Sequence, residues 1–169
     1  MALLAVSLLD PARAAFAQES PRAAGSGGDA WLVQFSPYTQ HFYRSPDYQR
    51  VYLVGLERHN GDSAFWGGDH SLWGLAYFRN SFGQPSGYAY YGGVFERPFG
   101  ARDWYLKWTA GVLYGYRPPY ENRVPFNRDG WSPGVVVGAG YRFTPQWSAQ
   151  VNLLGRAGAM LTLGYAFGR

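Results

Sequence analysis

Over most of this chain, large apolar side chains occupy every second position. From Trp104 to Tyr116 the even positions read Trp, Leu, Trp, Ala, Val, Tyr, Tyr, and the odd ones Tyr, Lys, Thr, Gly, Leu, Gly. Successive side chains of an extended strand point to opposite faces, so this pattern fits a β-strand lying between two different environments. The pattern returns in Val135, Val137, Ala139, Tyr141 and Phe143 against Gly134, Val136, Gly138, Gly140 and Arg142. It returns again in Trp147 to Leu153 and in Ala159 to Phe167, and less regularly over about 31–43, 50–58, 71–80 and 86–95. These are eight strands. Most exceed the roughly 5–6 residues of a soluble strand and match the roughly 9–11 that a tilted strand needs to cross a bilayer. The expected fold class is all-β, an eight-stranded antiparallel transmembrane β-barrel, since an even strand count closes such a sheet without free edges. A soluble sandwich or lipocalin-like barrel, burying the aromatic face instead, is the alternative.

Composition agrees. Hydrophobic residues make 47% of the 169 residues, yet the mean hydropathy is −0.28, because the apolar residues are dispersed. No run of about 20 apolar residues exists to build a membrane helix. Aromatics make 19% of the chain, too many for a disordered one. The length suits one domain. With no cysteine there is no disulfide, thiolate metal site or thiol nucleophile, and neither a metal nor a cofactor is expected. Of the 15 basic residues behind the net charge of +4, all but Lys107 are arginine. Arginine grips phosphate and carboxylate bidentately, which suggests an anionic partner. No nucleic-acid motif accompanies the basic charge.

Residues Met1 to Leu9 form an apolar run, and Ala15-Phe16-Ala17 has the small-residue spacing of a cleavage site, so 1–17 reads as a signal peptide. It lacks a basic n-region, as a truncated or misassigned start would; a short buried helix is the alternative reading. Residues 18–30 are rich in Gly, Ser and Pro and read as a flexible lead-in. The barrel would occupy 31–169.

In outer-membrane barrels both termini face the periplasm and the longer loops face outward. The long segment Arg117 to Pro133 then lies outside and Thr144-Pro145-Gln146 inside; the long 59–70 connection, on the inner side, is a misfit. Eight strands enclose room for side chains or one small ligand, not a diffusion channel. The interior positions read as small and neutral, with Gly111, Gly138 and Thr162 among them. They suggest a slot for an acyl chain, or else glycines that ease strand curvature. Of the three histidines, His59 and His70 fall on the inner connection, whereas His41 and Ser81 share the outer rim. A His–Ser pair can do acyl chemistry; a purely structural pair is the alternative.

Around these residues the chain resembles the outer-membrane lipid A palmitoyltransferase family (PagP type). The likeness lies in the length, the strand count, and the segment Gly74-Leu75-Ala76-Tyr77-Phe78-Arg79-Asn80-Ser81-Phe82. It extends to Thr109-Ala110-Gly111-Val112 and the aromatic closing strand. The resemblance implies a catalytic His late in the first strand, His41, and an Asp-Ser pair matched by Asn80-Ser81, with Asn replacing the acid. It also implies prolines that interrupt strand pairing and admit lipid sideways, matched by Pro37 and Pro133. The implied activity moves an acyl chain from a phospholipid to lipid A of lipopolysaccharide, in the outer membrane of a Gram-negative bacterium, by a monomer. Arg44, Arg79, Arg117, Arg123 and Arg128, with Arg50 and Arg156, would meet lipid phosphates; a generic solvated rim is the alternative. A non-enzymatic structural or lipid-binding barrel and a lipid A deacylase are the other functional readings.

Overall fold

The computed structural model describes residues 29–61, 63–64 and 66–168. The expected signal peptide and residues 18–28 of the lead-in lie outside the described residues. The last two lead-in residues belong to the barrel instead: Ala30 opens the first strand, and Asp29 pairs with Arg58 and accepts a hydrogen bond from the Gly61 amide.

The strands are β1 (Ala30–His41), β2 (Leu53–Asn60), β3 (His70–Arg79), β4 (Pro85–Glu96), β5 (Trp104–Tyr114), β6 (Trp131–Arg142), β7 (Trp147–Leu153) and β8 (Gly158–Phe167). Each pairs antiparallel with the next, and β8 pairs with β1, closing an eight-stranded barrel. Alternation sorts the faces as expected. Val54, Leu75, Val112, Val135 and Val151 stand exposed on the outside, while Tyr105, Lys107 and Thr109 are buried within. Such an outer apolar band is what a membrane-spanning barrel presents to lipid. No helix among the described residues is long and apolar enough to cross a membrane. We call the rim holding Ala30 and Phe167 the near rim, and the opposite one the far rim.

Pairing is complete around the near half and interrupted twice in the far half. β1 pairs with β2 only from Ala30 to Ser36, so Pro37–His41 is held by β8 alone. β6 pairs with β7 only from Val137 to Arg142, so Trp131–Val136, which contains Pro133, is held by β5 alone. β2 starts at Leu53, later than alternation suggested, because 50–52 make no strand pairs.

The interior corrects one expectation. It is not neutral. Glu57, 1% exposed, is bound by Lys107 Nζ at 2.8 Å, His59 Nε2 at 2.9 Å and the Tyr90 hydroxyl at 2.9 Å. His59 Nδ1 meets His70 Nε2 at 3.1 Å. Nearer the rim, Arg142 grips Glu96 bidentately at 2.6 and 2.8 Å and lies 4.4 Å above the Tyr105 ring. His59 and His70 are thus strand residues in this network, not connection residues as the sequence suggested. Tyr88 and Tyr90, neighbours on the inner face of β4, stack on each other at 4.7 Å, and their hydroxyls reach the Gly134 carbonyl and Glu57. A second polar cluster, with Asn152 donating to Thr162 Oγ1 at 3.1 Å and Gln150 donating to Asn152, fills the opposite wall. The near half is therefore a plug of paired charges and tyrosines.

A buried carboxylate is tolerable only while paired, and losing one partner of a buried ion pair costs about 3–5 kcal/mol. Lys107→Met is expected to lower stability by that order, and Lys107→Met with Glu57→Gln to recover much of it. Thermal unfolding of the two variants in detergent checks this.

Candidate active site at the far rim

The geometry at the far rim begins with one extra residue. Up to Phe35, β1 residues pair with β8 in one register (Phe35 with Leu163); from Tyr38 they pair one residue later (Tyr38 with Leu161). This is a β-bulge, and it contains Pro37, which has no N–H to lose from a ladder. The Ser36 hydroxyl spans it, donating to the Tyr38 carbonyl at 3.3 Å. A one-residue offset reverses which side chains face inward. Below the bulge the even residues Gln34 and Ser36 are buried, and Val33 and Phe35 are exposed. Above it Tyr38 is exposed and the Thr39 hydroxyl is buried. His41 shares the parity of Thr39 and turns inward.

There, His41 Nε2 and Ser81 Oγ are hydrogen-bonded at 2.6 Å. The sequence put the two on one rim; the bulge and the β3–β4 turn bring them into contact. Tyr48, from the 42–52 connection, stacks on the imidazole at 4.3 Å between centroids. The same connection is tied down where the Gln49 amide donates to the Ser81 carbonyl at 2.8 Å. Phe82 extends the cover, edge-on to Tyr48 and stacked on Tyr120 at 4.1 Å, with the Arg123 guanidinium 5.4 Å above it. Beside it, burial pushes the Tyr116 hydroxyl up to about 12, so it stays a neutral phenol. Tyr48 and Tyr120 lie on loops without periodicity, and no sequence signal singled them out.

The hydrogen bonds of the Asn80 side chain go to Phe82, Gln84 and Gly115 and not to His41. Fully buried, it organises the turn that carries Ser81. Its Oδ1 accepts from the amides of Phe82 at 3.0 Å and Gln84 at 3.1 Å, and its Nδ2 donates to the Gly115 carbonyl at 3.3 Å. An aspartate could keep the two accepted bonds but could not donate to Gly115, which explains in chemical terms why an amide suits this position.

The rim itself is basic. Arg44, Arg50, Arg79, Arg117, Arg123, Arg128 and Arg156 are all exposed there, against the carboxylates of Asp47, Glu121 and Asp129. None of these arginines joins an ion pair among the described residues. Gly111 and Gly138, expected to border an acyl slot, are not beside open space. A Cβ on Gly111 would lie 2.0 Å from the Ala89 carbonyl oxygen, and one on Gly138 2.8 Å from Asn152 Oδ1 and Gln150 Nε2. These glycines allow close approach of neighbouring strands and seat the polar plug. Among the described residues, no group of three or more His, Asp or Glu converges as metal ligands would.

No protein-family model matches the chain, and no curated protein is significantly similar to it. Its geometry therefore carries the functional argument.

Two variants test the geometry. Asn80→Asp puts a charge against the Gly115 carbonyl and loses a donor, so it should destabilise the protein by about 1–3 kcal/mol, read by thermal unfolding. Deleting Pro37 removes the bulge and should point position 41 outward; a zinc-bridging assay between His41 and a Ser81→His partner should then fail, where it succeeds with the bulge intact.

Proposed function

We propose that this protein is an outer-membrane acyltransferase that moves an acyl chain from a phospholipid to a hydroxyl of lipid A, as the palmitoyltransferase family it resembles does. The observation that carries this reading is the 2.6 Å contact between His41 and Ser81. It sits beneath a ring of unpaired arginines and beside the stretch of β1 that β2 leaves uncovered.

An imidazole bonded to a hydroxyl is a ready proton acceptor. As an acceptor oxygen attacks the acyl carbonyl carbon, its proton passes to Ser81 Oγ while the Ser81 hydroxyl proton passes to His41 Nε2. The carbon–oxygen bond to the donor glycerol then breaks, and His41 returns the proton to the departing oxygen. Ser81 orients the imidazole and the reacting groups, Tyr48 holds the ring plane, and Asn80 acts as a positioning residue through the turn. The exposed arginines bind lipid phosphates by charge-assisted contacts.

The two strand stretches paired on one side only, each with a proline, would be lateral openings at the level of the outer leaflet. The acyl chain would lie in the far half of the lumen. There the inward-facing Leu53, Phe78, Leu113 and Val136 keep partial exposure, whereas Tyr88, Tyr90 and the ion network fill the space below. Two buried hydroxyls on those strand stretches, Thr39 Oγ1 and Ser132 Oγ, have no protein partner and would serve a polar lipid linkage.

One observation favours a second reading, a non-enzymatic lipid-binding barrel: Asn80, where the family has an acid, is fully engaged in the turn and leaves His41 without a carboxylate.

Expression in a Gram-negative host followed by mass spectrometry of lipid A separates the readings. Wild-type protein should add one acyl chain, and His41→Ala and Ser81→Ala should each abolish the addition while the barrel still folds. Unchanged lipid A with wild type supports the binding reading, and loss of a chain supports a deacylase.

A further inference from the structure

Six of the seven tryptophans lie in the near half of the barrel, all but Trp131. On the outer wall they form a belt of pairs: Trp31 with Trp73 at 5.7 Å, Trp104 with Tyr141 at 5.4 Å, and Trp147 with Tyr165 at 4.9 Å. The fourth pair is different. Trp66 belongs to no strand. It sits in the 61–69 connection, which joins β2 to β3, yet it packs against Trp108 of β5 at 5.7 Å.

The chain reaches that place by folding back over the outside of the barrel. Trp66 and Gly67 both have positive φ, 48° and 76°, a conformation an L-residue such as tryptophan adopts only when its surroundings impose it. A Cβ on Gly67 would touch the Phe95 ring at 3.9 Å, on β4. Asp69 pins the return: its amide donates to the Val94 carbonyl at 2.7 Å, and its Oδ2 accepts from the Glu96 amide at 2.6 Å. Residues 66–69 of the long inner connection that misfits a simple barrel are therefore laid across β4 and β5 at the level of the tryptophan belt. Trp66 remains 81% exposed.

We infer that the 66–69 segment is a membrane-surface anchor, with Trp66 lying in the headgroup region of a phospholipid leaflet at the near rim. Indole, apolar in body with one N–H, prefers this boundary. Charge chooses the leaflet. Outside the lumen plug, the described residues of the near half carry three carboxylates (Asp29, Asp69, Asp103) against three arginines (Arg58, Arg97, Arg102), whereas the far rim has seven arginines against three carboxylates. A balanced surface with tryptophans suits a phospholipid interface of little net charge; the arginine rim suits a phosphate-rich one. The inference rests on the membrane reading of the barrel but not on any enzymatic activity.

The test uses the full chain in phosphatidylcholine vesicles, with lipids brominated either near the headgroup or near the chain end. The emission of wild type minus that of Trp66→Phe isolates Trp66. The expected difference spectrum is blue-shifted relative to an indole in water, and quenched more by the shallow bromine than by the deep one. A difference spectrum of a water-exposed indole, unquenched while the other tryptophans are quenched, overturns the anchor and leaves the membrane barrel standing. If no tryptophan is quenched, the barrel is outside the bilayer, and both readings fall.

Discussion

The one-residue offset between β1 and β8 is the constraint on which the far rim depends. In a closed barrel every side chain is either inside or outside, and a strand cannot change its answer without an extra residue. Below Pro37 the inward residues of β1 are Gln34 and Ser36; above it they are Thr39 and His41. The same irregularity that turns His41 towards Ser81 ends the pairing of β1 with β2. An inward-facing His41 and a stretch of β1 without a β2 partner therefore begin at one irregularity.

The two halves of the barrel answer different demands. The near half is fully paired and its lumen is filled by Glu57, Lys107, Glu96, Arg142 and stacked tyrosines. Each buried charge there is matched, because an unmatched one is costly. With the floor held by these contacts, the far half can leave two strand stretches paired on one side only and two buried hydroxyls without partners. Local looseness at one rim is tolerated where another region supplies the stability.

Much of the fold was legible because alternation is a local property. All eight strands lie close to where the period of two put them, and parity alone placed His41, Ser81 and the arginines on one rim. What was illegible depends on who stands opposite. Lys107 occupied an inward position in plain view, but its partner Glu57 lies 50 residues away on an irregular strand. The glycines suggested open space because their own side chains are absent; what fills that space comes from neighbouring strands. Asn80 looked like a weakened acid, and only its three partners show it to be a turn-builder.

By itself the sequence determined that this protein is a barrel of alternating strands with an arginine-rich rim, since both follow from side-chain periodicity and chain order. Only the tertiary structure decided that His41 touches Ser81, that the lumen is plugged below them, and that Trp66 lies against β5. Each of these is a contact between distant segments, set by strand register and by a bulge, and no local pattern encodes it.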